Sequence, residues 1–169
     1  ILEWGSHTVD LCQWAAGADG TNAVDYEPNL TGLVCHYANG VKLVMRPDGW
    51  MGLGTCSVRY EGDEGWVEAG DSGQVRCHPA SLLGERKMAA GAGTDPAGHG
   101  RNFFDCVKSR ALANANHVLA SSSHITCHAA HIAWQLGRPL KWDPAKAEFI
   151  GDPEANRMRS RAQREPWRY

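Results

Sequence analysis

Leu33-Val34-Cys35-His36-Tyr37-Ala38-Asn39-Gly40-Val41-Lys42-Leu43-Val44-Met45 is the stretch that decides the fold. Two apolar runs flank Asn39-Gly40, a dipeptide suited to the positive φ angles of a tight turn, so the stretch reads as a β-hairpin. A second hairpin follows: residues 55–60, a turn through Glu61-Gly62-Asp63-Glu64-Gly65, then residues 66–69. Residues 74–77 add one more strand. On either side the period becomes helical. Residues 6–15 read as a helix with Ser6 as N-cap and Gly17 as stop. Helical patterning returns at residues 102–107 and over 116–136, where Gly137 and Pro139 end it. Residues 17–31 and 84–100 are rich in Gly, Ala, Asn, Asp and Pro and read as loops. Leu140-Lys141-Trp142-Asp143 looks like a short strand, Asp152-Pro153 opens a short helix, and the basic tail from Arg157 to Tyr169 extends over the surface. Hairpins followed by helices give an α+β fold: an open, mostly antiparallel sheet with helices packed on one face, forming one domain over residues 1–169.

Bulk properties narrow the partners. With 43% hydrophobic and 21% charged residues, the chain has the composition of an ordinary globular domain. A formal charge of -2 supplies no electrostatic reason to bind nucleic acid or an anionic membrane. No window reaches the roughly 18 apolar residues of a membrane span. Seven Trp residues suit sheet faces, interfaces and sugar-like ligands alike. The six cysteines include no C-x-x-C pair, and Cys12, Cys106 and Cys127 fall in apolar helical patterns, so reduced structural thiols are expected. The chain opens at Ile1 without Met and enters a helix almost at once, which reads as a piece of something longer.

Three groups of residues invite chemistry. Glu3 precedes His7 by four positions, and a carboxylate there can orient an imidazole for general acid–base work on a hydroxyl or carbonyl. Taken alone, the pair is a weak signal and reads first as a solvated helix start. His117, His124, His128, His131 and Gln135 fall within about 60° of one another on an ideal helix, beside an apolar stripe of Val118, Ile125, Ala129, Ile132 and Leu136. His124 and His128 have the i, i+4 spacing of zinc ligands, but a site of that kind needs a third ligand, and the helix carries no Glu to act as base. The expectation is therefore no metal, with the stripe packed on the sheet or facing a cleft. Gly52-Leu53-Gly54-Thr55-Cys56-Ser57 opens like a phosphate loop but lacks the third glycine and runs into a strand, where a dinucleotide site needs a helix. No cofactor site is expected in this chain.

These residues resemble, in order and spacing, the glucose–fructose oxidoreductase / inositol dehydrogenase (Gfo/Idh/MocA) family. Residues 1–10 (ILEWGSHTVD) are similar to its D-x-G-x-H-x-x-D segment, and residues 60–67 (YEGDEGWV) to its sheet hairpin. Residues 101–110 (RNFFDCVKSR) look like its late helix, and residues 124–138, 151–157 and 164–167 resemble the C-terminal end of a bacterial subgroup. The resemblance implies a C-terminal domain that closes over a nicotinamide held by an N-terminal Rossmann domain. It implies a sugar, sugar acid or cyclitol as substrate. It also implies self-association through the sheet, as dimer or tetramer, to which an unpaired edge would contribute. By position His7 matches the family's catalytic histidine. Glu3 stands where the family usually has Asp, and the extra methylene shifts the carboxylate by about a bond length. Trp4, His124 and His128 are the substrate-side candidates.

Two function classes follow. In the first, the chain is the substrate-binding and oligomerisation part of an NAD(P)-dependent oxidoreductase, with no dinucleotide affinity or turnover of its own. In the second, it is a stand-alone carbohydrate-binding or oligomerisation module without redox activity. A zinc hydrolase, a third reading, rests on the histidine stripe alone. Cytoplasmic localisation is the default expectation.

Overall fold

The computed structural model describes residues 2, 5–46, 56–70, 73–84 and 95–166. Helix α1 (Gly5–Ala15) leads into strands β1 (Asp25–Asn29), β2 (Gly32–His36) and β3 (Lys42–Met45). Strands β4 (Val58–Gly62), β5 (Gly65–Ala69) and β6 (Val75–His78) follow, with a 3-10 turn at Ala80–Leu83. Then come helices α2 (Pro96–Ser109) and α3 (His117–Leu136), strands β7 (Leu140–Asp143) and β8 (Glu148–Phe149), and helix α4 (Pro153–Arg157). The strands make two sheets, one ordered β3-β2-β1-β7-β8 and the other β4-β5-β6, and every pairing is antiparallel. The fold is α+β, as the sequence pattern requires.

The Asn39-Gly40 hairpin forms as expected. Gly40 takes φ 88°, and its N–H donates to the Tyr37 carbonyl at 3.0 Å. The Asn39 side chain donates to the Ala16 carbonyl at 2.8 Å, which ties the turn to the end of α1. The second hairpin also forms, with a shorter turn than the sequence suggests. Gly62 pairs with Gly65, leaving Asp63-Glu64 as a two-residue connection.

Alternation along the larger sheet separates its faces. Tyr26, Leu33, Cys35, Leu43, Leu140, Trp142 and Phe149 point inward and are buried. At roughly 1.5–3 kcal/mol for each large apolar side chain removed from water, this face supplies much of the driving force for folding. Trp142 and Phe149 meet edge to face at 4.8 Å between ring centroids. The opposite face carries a cross-strand row of Lys42, His36, Asp25 and Lys141. α3 packs on β1 and β2, and α1 packs along α3 and reaches β4. The Tyr60 hydroxyl closes that last contact by donating to the Leu11 carbonyl at 3.0 Å.

Several sequence expectations are corrected. Residues 17–31, read as a loop, contain β1, the middle strand of the larger sheet. Its Pro28 is tolerated because β7 pairs only with Asp25 and Tyr26, so Pro28 lies where β2 is the partner and no second ladder needs its missing N–H. Ser6 lies inside the first turn of α1, which begins at Gly5. α2 begins at Pro96, inside the segment read as a loop, with Asp95 as its cap: the side chain accepts from the Gly98 N–H at 2.8 Å. Cys106 is only partly buried, because α2 buries none of its residues. Gly137 and Asp152 cap α3 and α4 as the sequence indicates, and Asn116, read as the first helical residue, is the N-cap of α3.

Candidate functional site

The sequence candidates sit mainly on α1 and α3, and a buried polar network sets how those helices meet. Gln13 is 1% exposed. Its amide nitrogen donates to Ser122 Oγ at 3.1 Å, and its amide oxygen accepts from Tyr37 at 3.0 Å and Thr126 at 2.7 Å. Asn22 donates to the Ser122 carbonyl at 2.8 Å, and Ser122 donates to the Thr21 carbonyl. Ser123 donates to Asp10 at 2.7 Å. Buried amides and hydroxyls cost free energy unless paired, so this network fixes the rotation of α1 about its axis.

That rotation places His7. On a 3.6-residue turn it lies about 60° from Asp10, on the flank of α1 beside the Asp10–Ser123 contact, and its side chain is exposed. Glu3 and Trp4, its partners in the sequence reading, lie outside the described residues. Asp10 ties α1 to α3 by accepting from Ser123.

The histidine stripe is where sequence and structure differ most. His117, His124, His128 and Gln135 are exposed and His131 is half-buried, so the stripe faces solvent and is not packed on the sheet. The flank of α3 that is buried holds Ser122, Ser123, Thr126, Cys127, Ala129, Ala130, Ile132 and Ala133. Of the expected apolar face, Ala129 and Ile132 are buried and Ile125 and Leu136 pack against the core, while Val118 is 42% exposed. The physical reason is distance: α1 and the sheet come close to α3, which favours small side chains and hydroxyls with partners over bulky ones. His124 and His128 keep their rings 6.5 Å apart. Partial burial lowers the pKa of His128 below the ordinary imidazole value, and His124, His131 and Arg161 add to the shift. Among the described residues no group of three or more His, Cys, Asp or Glu side chains comes together to hold a metal.

The thiols do not offer a nucleophile in this core. All six cysteines are free. Burial pushes Cys12 up to about 12 and Cys127 up to about 11, and raises Cys35 strongly; the reactive thiolate is scarce at neutral pH.

The described residues also do not fit a dinucleotide. A pyrophosphate is usually held by free N–H groups at a helix start that follows a strand in a parallel sheet. Here every strand pairing is antiparallel. The starts of α2, α3 and α4 are already occupied by Asp95, Asn116 and Asp152, two of them carboxylates that would repel phosphate. The glycine pair Gly52 and Gly54 lies outside the described residues.

A shallow recess of about 460 Å³ lies at the β4–β5 turn, lined by Tyr60, Trp66, Val67 and Leu82 with acidic residues at its rim. The guanidinium of Arg59 lies 4.4 Å over the Trp66 ring, and Arg59 donates to the buried Glu68 at 2.9 Å. The ring also stacks on His78. Arg59 and His78 thus use the Trp66 surface that a sugar would need.

An α+β domain with an open antiparallel sheet and a histidine on its first helix is the class these observations define. Over residues 2–169 the chain matches the Gfo/Idh/MocA family model described as "Oxidoreductase family, C-terminal alpha/beta domain". It belongs to that family. No curated protein and no solved structure gives a significant match. The sequence resemblance is thereby upheld for family and fold. Among the described residues no helix is long and apolar enough to cross a membrane.

Proposed function

We propose that this chain is the substrate-binding and self-associating part of an NAD(P)-dependent oxidoreductase that acts on a hydroxyl of a sugar, sugar acid or cyclitol. The observation that carries the reading is His7: an exposed imidazole, where the family resemblance assigns the catalytic histidine, on a helix whose rotation is fixed by a buried network. An imidazole in that setting accepts the proton of a substrate hydroxyl as the carbinol carbon is oxidised, and returns it in the reverse direction. From the family resemblance, Glu3 is the carboxylate assigned to His7 and Trp4 a substrate-side residue. His124 and His128 reach substrate under this reading only if a second domain closes over the solvent side of α3. The nicotinamide dinucleotide belongs to that second domain, because the described residues do not fit it. Self-association uses the open face of the larger sheet, where a two-fold partner presents the same cross-strand row of Lys42, His36, Asp25 and Lys141.

The test is a calorimetric titration with NAD and NADP in both redox states, paired with NMR of the His7 ring during titration with polyols and sugar acids. The expected result is no dinucleotide binding, and a His7 shift with some of the polyols that disappears in His7→Ala. Micromolar dinucleotide binding would put a complete cofactor site within the chain and overturn the division of labour. A folded chain whose His7 ignores the whole panel would remove the substrate assignment. Sedimentation showing a monomer at all concentrations would remove the self-association.

A further inference from the structure

We propose that His124 and His128 form a two-imidazole site for a divalent transition cation such as Cu(II), Ni(II) or Zn(II). Four of the chain's eight histidines lie on α3, at positions 117, 124, 128 and 131. His124 and His128 are one turn apart, both are exposed, and their rings sit 6.5 Å apart at 31°. Four residues along a helix advance about 6 Å, so small side-chain rotations bring one nitrogen from each ring onto a shared ion.

A third protein ligand is what the sequence lacked for a closed structural or catalytic zinc site. Solvent exposure changes that requirement, since water or a bound anion completes the coordination sphere of an open, labile site. Imidazole suits Cu, Ni and Zn, with Cu(II) expected to bind most tightly. The opposite flank of α3 is buried in the network with α1, so the helix backbone that carries both rings is held in place. This site does not depend on the oxidoreductase reading.

The experiment is calorimetric titration of metal-stripped chain, purified without a polyhistidine tag, with each metal alone, together with nitrogen hyperfine structure in the Cu(II) paramagnetic resonance spectrum. Circular dichroism controls for folding of each variant. His124→Ala and His128→Ala should each weaken Cu(II) binding by about tenfold or more, because each removes one of two ligands, while His117→Ala and His131→Ala stay within about twofold. The spectrum of the parent chain should report two equivalent nitrogens. Binding no tighter than that of a His124→Ala/His128→Ala double variant would overturn the proposal, as would a loss that follows His131 or His117.

Discussion

α3 and α2 follow one another in the chain and are both well capped, yet they meet the rest of the protein in opposite ways. α3 buries eight residues, three of which carry hydroxyls. α2 carries Phe103, Phe104 and Val107, each about half exposed or more, and buries nothing. Large apolar side chains therefore do not by themselves decide which helix joins the core. In α3, small residues admit α1 and the sheet at close range, and its serines and threonine find partners there. Complementarity of size and hydrogen bonding selects the buried helix.

This contrast can be broken by measurement, beginning with its largest consequence. Ile132→Ala, on the buried flank of α3, should cost about 2–5 kcal/mol in urea denaturation, the range for large-to-small core substitutions. A loss below about 1 kcal/mol would mean that α3 is not the core helix. Gln13→Ala should cost about 1–3 kcal/mol, since buried hydroxyls of Tyr37, Ser122 and Thr126 lose their amide partner. A neutral result would show that the network forms without its centre.

The helix caps sharpen the comparison further. Asn116→Ala removes the side chain that accepts from Val118 and Leu119 at the start of α3, and should lower global stability by about 1 kcal/mol. Asp95→Ala at α2 should instead increase hydrogen exchange within α2, leaving the denaturation midpoint unchanged. Equal effects of the two variants on the midpoint would erase the distinction. The smallest expected effect is Phe103→Ala, within about 0.5 kcal/mol by denaturation because the ring is exposed. A larger loss would mean that α2 packs in solution.

The sequence made local structure legible wherever a short-range device dictates it. Asn39-Gly40 announces its hairpin, Asn116 and Gly137 bracket α3, and Asp152-Pro153 starts α4. β1 escaped because Asp25-Tyr26-Glu27-Pro28-Asn29 has one inward-facing large side chain, Tyr26, and a proline that usually argues against a central strand. Its strand character comes from β2 and β7, partners remote from its own composition. For the candidate site, His7 and the exposed pair on α3 were visible as residue types. The direction of the stripe was not, because Val118 and Ile125 beside it look more buriable than Ser122 or Thr126. The Gln13 network was missed altogether. Its one available signal was a glutamine amid the apolar residues of the first helix, with hydroxyls clustered at residues 121–123 and 126.

The Gln13 amide is a shared terminus for three groups from two other parts of the chain: β2's exit at Tyr37 and two turns of α3 at Ser122 and Thr126. A replacement at any one of these positions alters what the other three require. Their mutational histories should therefore be coupled, with tolerated changes arriving in pairs or not at all. His7 lies on the same helix with an exposed side chain, and its setting depends on the four-way junction that keeps the helix in place.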